Sequence, residues 1–240
     1  MCTKVFAFCS CVLANFATSY VILPNGAVNS TIVSSGKDEV KYDPFEFQDD
    51  DVMYTEEQRF RNAHTDIDYR WPDGRIPYVY DSSLTEQAKE AIRQAIEEFH
   101  EYSCLRFVER ERRDKDYVKF IDRGGCFSFV GKAGGEQTIS LGLRCAQKGT
   151  AIHEMMHAAG FFHEHARPDR DHFVSVQWPY IKTDKKGNFC VNDGTFCEYN
   201  NRVMPEGLTL DVLYDYGSIM HYGPRSFSKD GSPTIVPKES

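Results

Sequence analysis

Apolar residues recur at helical spacing over residues 84 to 102, where the sequence is LTEQAKEAIRQAIEEFHEY. The preceding Ser83-Leu-Thr-Glu86 has the form of a capping box, in which Ser83 accepts a hydrogen bond from the first turn. This pattern predicts an amphipathic helix over about residues 84 to 102, with one face directed to the core. The predicted apolar face comprises Leu84, Ala88, Ile92, Ala95, Ile96 and Phe99.

Four short segments with alternating apolar and polar residues predict β-strands. One follows the Pro-Asp-Gly turn in RWPDGRIPYVY (70–80), and the others are LRFVER (105–110), YVKFID (117–122) and TISLG (138–142). A second helical segment covers Ala146 to Ala159, whereas turns dominate after Phe161. The pattern therefore predicts an α+β domain with sheet and helices first and an irregular C-terminal half.

The first 61 residues differ from the rest of the chain. Lys4 precedes an apolar run from Val5 to Ala17 that is too short to span a bilayer, and small residues follow at positions 17 to 19. We interpret residues 1–19 as a cleaved signal peptide and expect secretion; a buried N-terminal helix or strand is the alternative. Residues 20–61 are polar and acidic, and Asn29 lies in an Asn-Ser-Thr glycosylation sequon.

Charge and cysteine content narrow the class of protein further. The chain has 240 residues and a formal net charge of −8, so neither a nucleic-acid nor an anionic membrane surface is expected. Of the 8 cysteines, 5 follow the predicted signal peptide, and an oxidising compartment favours their pairing. The odd number leaves one cysteine without a partner. The five are Cys104, Cys126, Cys145, Cys190 and Cys197.

Half of the 8 histidines fall between residues 153 and 165, in HEMMHAAGFFHEH. His153 and His157 are four residues apart on a predicted helix, so their side chains project from one side and can bind one ion. Gly160 can end the helix in a left-handed conformation, after which His163 can approach as a third ligand. Three neutral imidazoles with one open position are typical of a catalytic zinc ion, one per chain.

Glu154 follows the first of these histidines, so its carboxylate would lie beside the ion as a general base for zinc-activated water. One alternative is chance, because His-Glu-x-x-His also occurs in helices that bind nothing. Another is a closed, structural zinc site with His165 as the fourth ligand. His165 lies only two residues past His163, where it would face elsewhere, so we predict that it is not a ligand.

Together these residues resemble a known family. HEMMHAAGFFH (153–163) matches the metzincin zinc signature, and SIMHY (218–222) resembles the Met-turn that follows it. RWPDGRIPY, VGKAGGEQTISLG, GFFHEHARPDRD and YDYGSIMHY resemble segments of astacin-family domains. The resemblance implies a peptidase domain over residues 62–240, with two subdomains, a mixed and mostly parallel sheet, and the zinc helix in the N-terminal half. The implied activity is that of a zinc endopeptidase.

The resemblance also implies roles for residues in the C-terminal half and for the sheet. Met220 would lie beneath the zinc ligands. Tyr222 would be a fifth zinc ligand at rest that moves away to stabilise the oxyanion; a packed core tyrosine is the alternative. The segment GGEQTISLG (134–142) would be the edge strand along which an extended peptide or protein substrate pairs.

Astacin-family proteins are made as zymogens in which a propeptide aspartate occupies the open position on zinc. Residues 20–61 would be the propeptide, with Asp51 favoured over Asp50 as this aspartate; a solvated acidic run is the alternative. An activating protease would cleave after Arg61. The new amino group of Asn62 would then be buried against Glu164.

The cysteines complete the comparison with the family. The resemblance implies a Cys126–Cys145 disulfide, and Cys190 and Cys197 are expected to close a small ring. Cys104 would pair with a cysteine in a C-terminal helix that the sequence does not include, so we expect a truncated domain. A zinc-binding but inactive adhesion or peptide-binding protein is therefore a second hypothesis, although the presence of both the predicted base and the tyrosine favours an enzyme.

Overall fold

One sheet and two helices form the N-terminal half of the computed structural model, which describes residues 51–53, 69–191 and 212–238. The sheet has six strands in the order β1-β5-β6-β4-β2-β3. Its strands are β1 (Val52–Met53), β2 (Arg75–Tyr80), β3 (Arg106–Glu109), β4 (Tyr117–Ile121), β5 (Cys126–Phe129) and β6 (Glu136–Leu141), and the helices are α1 (Glu86–Tyr102) and α2 (Lys148–Ala159).

The sheet is mixed and mostly parallel, as predicted. β2 pairs in parallel with β3 and β4, β4 pairs in parallel with β6, and β1 pairs in parallel with β5. β5 runs antiparallel to β6. The two helices pack against each other, and large side chains from helices and sheet fill a common core. The fully buried members include Ile76, Phe99, Phe107, Phe120, Ile139, Ile152 and Met155.

The expectation that residues 134–142 form an edge strand is wrong. β6 lies inside the sheet, between β4 and β5. The reason is β5, a strand of only four residues, which turns back antiparallel and covers the outer side of β6. The outer side of β5 in turn pairs with β1, where Val52 lies opposite Ser128 and Met53 opposite Phe129. The predicted propeptide therefore contributes the strand at this edge of the described sheet.

Helix α1 begins two residues later than the predicted capping box. Thr85 is its N-cap, and the Thr85 side chain accepts a hydrogen bond from the backbone N–H of Ala88 at 3.1 Å. Ser83 is used elsewhere, because its N–H donates to Asp81 Oδ1 at 2.9 Å and its Oγ accepts from Asp122 N–H at 3.1 Å. Ser83 thus belongs to the turn that leads into the helix.

The C-terminal half is irregular, as predicted. It consists of short 3-10 turns and a two-stranded antiparallel sheet of β7 (Val174–Val176) and β8 (Ile235–Pro237). A separate small core lies here, formed by Val174, Ile181, Phe189, Tyr214 and Ile235. Neither α1 nor α2 has the length and apolar character that a membrane crossing requires, and the described residues contain no other candidate.

The cysteines follow the predicted pairing as far as the described residues extend. Cys126 and Cys145 form a disulfide that joins β5 to the turn before α2. Cys190 is also disulfide-bonded, while its expected partner Cys197 lies outside the described residues. Cys104 is an exposed free cysteine. Residues 1–50, which include Asn29 and Asp50, also lie outside the described part, as do Arg61 and Asn62.

The loop after β5 holds the C-terminal end of α2. Gly131 N–H donates to the carbonyl oxygen of His157 at 2.9 Å, and Trp71 Nε1–H donates to that of Ala158 at 2.7 Å. The φ of Gly131 is +68°, and a Cβ added there would lie 2.6 Å from the carbonyl oxygen of Tyr69. Only glycine fits this position without movement of the backbone.

A comparison of two glycines tests this constraint. Gly134 also has a positive φ, of +88°, but a Cβ there would meet nothing within 4 Å. We expect Gly134→Ala to lower the free energy of unfolding by about 1 kcal/mol, from backbone strain alone. Gly131→Ala adds the clash and is expected to cost about 2 to 4 kcal/mol, measured by urea unfolding. Equal losses in the two variants would contradict the proposed close packing.

Candidate metal centre and active site

Helix α2 positions two of the clustered histidines, and its end positions the third. The helix ends at Gly160, whose φ of 111° lets the chain turn back; its N–H donates to the carbonyl oxygen of His157 at 2.8 Å. Phe161 N–H donates to the carbonyl oxygen of Met156 at 3.1 Å. This turn returns the chain toward the helix, so that His163 lies beside His153 and His157.

Four side chains converge at one point: Asp51, His153, His157 and His163, whose ligand atoms all lie within 4.8 Å of one another. Asp51 Oδ2 is 3.2 Å from His153 Nε2 and 3.3 Å from His163 Nε2. The Nε2 atoms of His153 and His163 are 3.4 Å apart. His165 is not a member of this group, in agreement with its predicted exclusion.

Hydrogen bonds to backbone carbonyls orient two of the imidazole rings. His153 Nδ1 donates to the carbonyl oxygen of Ile219 at 2.9 Å, and His157 Nδ1 donates to that of Phe161 at 2.8 Å. A carbonyl oxygen can only accept, so the Nδ1 atoms carry the protons and the Nε2 atoms keep a lone pair for a metal. Burial lowers the pKa of His157 well below its ordinary value, which keeps this ring neutral.

The donor set fits a divalent metal ion. Aspartate is ordinarily ionised at neutral pH, and Asp51 Oδ2 lies against the Nε2 atoms of His153 and His163. Its oxygen faces imidazole lone pairs, an arrangement that a cation between them stabilises. His157 Nε2 and Asp51 Oδ1 are buried and accept no hydrogen bond from the described residues. Imidazole nitrogens with one carboxylate oxygen are typical zinc ligands.

Glu154 lies next to this group, on the helix that carries His153. Its side chain is buried, and Oε2 has no hydrogen-bond partner among the described residues. Burial raises the pKa of Glu154 well above its ordinary value, and the nearby negative charge of Asp51 raises it further. A carboxyl group with a raised pKa can both accept and return a proton near neutral pH.

The predicted Met-turn is hydrogen-bonded to the backbone just after the third histidine. Met220 is buried in the main core, and its carbonyl oxygen accepts a hydrogen bond from Glu164 N–H at 2.9 Å. The Glu164 carboxylate accepts from Arg167 Nη1 at 3.0 Å and from Asp215 N–H at 2.9 Å. Burial raises the pKa of Glu164, while these two contacts oppose the rise. The turn thus joins the C-terminal half to the residues around His163.

Tyr222 lies beside the group, although its environment was not predicted. Its ring centroid is 4.8 Å from that of His163 and 3.9 Å from that of His165. The backbone carbonyls that orient the histidines and the strand that carries Asp51 into the site were also absent from the sequence-based prediction. Backbone acceptors have no residue-type signature, and a two-residue strand has no detectable period. The Asp-Val-Met sequence at residues 51–53 offered only the acidic residue as a signal.

Three imidazoles beside a buried glutamate, with a mixed sheet and a Met-turn that is hydrogen-bonded to the first imidazole, define the metzincin class of zinc metalloproteases. Comparison with protein families gives the same result, because the model of the peptidase family described as Astacin matches residues 63–240. The chain belongs to the astacin family. The family's metal is zinc, and the three histidines form a group that can bind it.

Several known proteins are similar to this chain. Zinc metalloproteinase nas-4 of Caenorhabditis elegans is 40% identical over 212 residues, which are 84% of this chain and 64% of that protein. Zinc metalloproteinase nas-15 of the same organism is 39% identical over 186 residues, 78% of this chain and 31% of that protein. The chain thus spans less than two thirds of the length of either relative.

A solved structure supports the fold assignment. The hatching enzyme zinc-protease HCE-1 of the medaka fish Oryzias latipes has a TM-score of 0.60 and 33% sequence identity, with 70% of this chain and 79% of that chain covered. The chain therefore resembles this zinc-protease both in its α+β fold and in its sequence.

Removal of one imidazole tests the metal site. We expect His157→Ala to weaken zinc binding by more than about a hundredfold, since loss of even an outer-shell partner of a ligand costs about 10- to 100-fold. Zinc content is measured after dialysis against a zinc buffer. The exposed His172 supplies the matched control, and His172→Ala should retain one zinc ion per chain. Unchanged zinc content in His157→Ala would exclude the site.

Proposed function

We propose that this chain is the precursor of a secreted zinc endopeptidase that acts on proteins or peptides rather than on nucleic acid or membranes. The observation that carries this proposal is the convergence of three histidines beside the buried Glu154. A structural zinc site has four protein ligands and no need of an adjacent buried carboxyl group. Here the fourth member of the group is Asp51, which belongs to the segment that we propose is removed on activation.

The chain's own residues supply the remaining chemistry. Bound by His153, His157 and His163, zinc would lower the pKa of a water molecule and polarise the scissile carbonyl group. Glu154 takes a proton from the attacking water and delivers it to the leaving amine, a role for which its raised pKa suits it. Tyr222, whose hydroxyl is buried, would be a further zinc ligand at rest and would stabilise the oxyanion during reaction.

An extended substrate would pair with β5. This strand becomes the edge of the described sheet once β1 is removed. It leads into the loop that contacts the C-terminal end of α2, the helix that carries His153 and His157. Backbone pairing places a peptide in a fixed register while its side chains point alternately to either side. The position of β1 supports the proposal, because an extended segment already pairs with β5 in this structure.

The same contacts support a zymogen. Asp51 contacts two of the histidines, and the strand that follows it occupies the proposed substrate edge. One segment would therefore block both the metal position and the peptide position. Cleavage after Arg61 by an activating protease would release this segment, and secretion would follow from the signal peptide at residues 1–19.

Maturation would also reorganise the surroundings of Glu164. Its carboxylate is half-buried, and Arg167 together with the Asp215 backbone is its partner here. The free amino group of Asn62 would be a second cation beside the Glu164 carboxylate, in addition to Arg167. Because a buried carboxylate is costly without a partner, a new charge pair would stabilise the mature arrangement.

Replacement of the proposed base tests the catalytic role. Glu154→Gln keeps the shape of the side chain but cannot accept the proton, so casein cleavage by the protein processed after Arg61 should fall by about 10² to 10⁴-fold. Zinc content should stay at one per chain, because Glu154 is outside the ligand group. Glu101, which is exposed on α1, provides the matched control variant Glu101→Gln. Zinc binding without cleavage by the unchanged protein would instead favour an inactive binding protein.

Latency is tested on the uncleaved precursor. Asp51→Ala removes the contacts to His153 and His163, so the precursor should cleave a peptide substrate at least about tenfold faster than the unchanged precursor, as its open form becomes populated. Asp50→Ala is the matched control and should remain latent. The opposite result, with activity released by Asp50→Ala alone, would transfer the role to Asp50.

A further inference from the structure

His165 is the one histidine of the 153–165 cluster that the proposed mechanism does not use, yet it is completely buried. Its ring stacks on that of Tyr222 with centroids 3.9 Å apart and planes inclined by 27°. This is the shortest centroid distance between aromatic rings in the described part of the chain. His163 is the next nearest ring, at 5.1 Å with the same inclination of 27°, and the rings of Phe189 and His221 lie at 5.8 Å and 6.1 Å.

The His165 ring is held at its outer end by backbone. Its Nε2 lies 2.9 Å from the carbonyl oxygen of Asn188, which can only accept, so Nε2 carries the proton. Its Nδ1 is buried and makes no hydrogen bond with the described residues. This hydrogen bond anchors the outer edge of the imidazole, and Tyr222 lies against the face of the ring.

Buried Arg170 holds the two backbone segments together. Its Nη1 donates to the carbonyl oxygen of His165 at 3.0 Å and to that of Phe189 at 2.7 Å. Phe189 is fully buried and contacts the Tyr222 ring edge-on at 5.7 Å, while Phe227 lies 5.4 Å from the same ring. The Tyr222 ring is thus enclosed by aromatic neighbours, and among the described residues His165 is the one that stacks face to face.

We propose that His165 is a positioning residue, which holds the Tyr222 ring by stacking in the position, away from the metal, where its hydroxyl stabilises the oxyanion. This inference rests on the proposed catalytic role of Tyr222. A tyrosine side chain has two rotatable bonds, and an error of about 1 Å in a catalytic group can cost about a hundredfold in rate. The stacked imidazole restricts that freedom without touching the substrate or the metal.

Two substitutions distinguish the contribution of the His165 ring from that of its hydrogen bond. His165→Leu removes both at similar volume, whereas His165→Phe keeps a flat ring and loses only the donor. In the protein processed after Arg61 we expect His165→Leu to lower kcat about tenfold with KM changed less than about twofold, because positioning acts on the transition state. His165→Phe should recover part of this loss. Both variants should keep one zinc ion per chain, and His172→Leu is the matched control.

A double-mutant cycle distinguishes positioning from general support of the fold. Tyr222→Phe keeps the ring and removes the hydroxyl that His165 is proposed to place. In this background His165→Leu should lower kcat by less than about twofold, since the two residues act through one group. Loss of the full tenfold in both backgrounds, or an unchanged kcat in His165→Leu, would overturn the proposal.

A spectroscopic measurement on the uncleaved chain does not depend on activity. With 3-fluorotyrosine incorporated, the ¹⁹F resonance that is missing in Tyr222→Phe belongs to Tyr222. It should move in His165→Leu, as the stacked ring is lost, and return toward its original position in His165→Phe. An unmoved resonance would contradict the stacking. If the processed chain cleaves nothing, or if Tyr222→Phe is fully active, the proposed function fails, and this resonance still decides whether His165 holds the tyrosine.

Discussion

The structure depends on the orientation of three imidazole rings whose lone pairs meet at one point. Carbonyl groups in two separate segments orient two of these rings. The turn after α2 contributes the carbonyl of Phe161, and the Met-turn contributes that of Ile219. Each carbonyl accepts the proton of one Nδ1 and thereby leaves the opposite nitrogen for a metal. The N-terminal sheet, the zinc helix and the C-terminal turn must therefore all be in place before the site exists.

Because the histidine rings need carbonyl groups from both halves of the domain, the two halves must pack against each other at the site. Met220 lies in the main core with the helices, although it belongs to the C-terminal half by sequence. Its carbonyl accepts from Glu164 N–H, so one short turn contacts both the ring of His153 and the backbone next to His163 through neighbouring carbonyl groups. The Met-turn thus has two effects: the Met220 side chain adds to the buried core, and the neighbouring carbonyl group of Ile219 orients the His153 ring.

A structural feature could be predicted from the sequence when the residues that form it lie close together along the chain. The histidine site could be predicted because helix geometry and one glycine bring His153, His157 and His163 together within eleven residues of chain. Strands β2, β3, β4 and β6 were predicted from their period. β5 was missed, because four residues are too few to establish a period, and the segment that follows it was therefore wrongly taken as the edge strand. Ser83 matched a capping pattern, yet its N–H bonds Asp81 within the preceding turn and its hydroxyl accepts a tertiary hydrogen bond from Asp122 N–H.

The two histidines His163 and His165 show how far a motif can be interpreted without a structure. They are two residues apart, and the intervening 3-10 turn sends their rings to different partners. One faces Asp51 and the zinc position, while the other contacts a carbonyl 23 residues away, at Asn188, and the ring of Tyr222. Spacing correctly excluded His165 as a ligand, but no spacing argument could assign it a role. Because burying an imidazole with only one hydrogen bond is costly, its place against Tyr222 needs a compensating interaction, and the close stacking of the two rings supplies one.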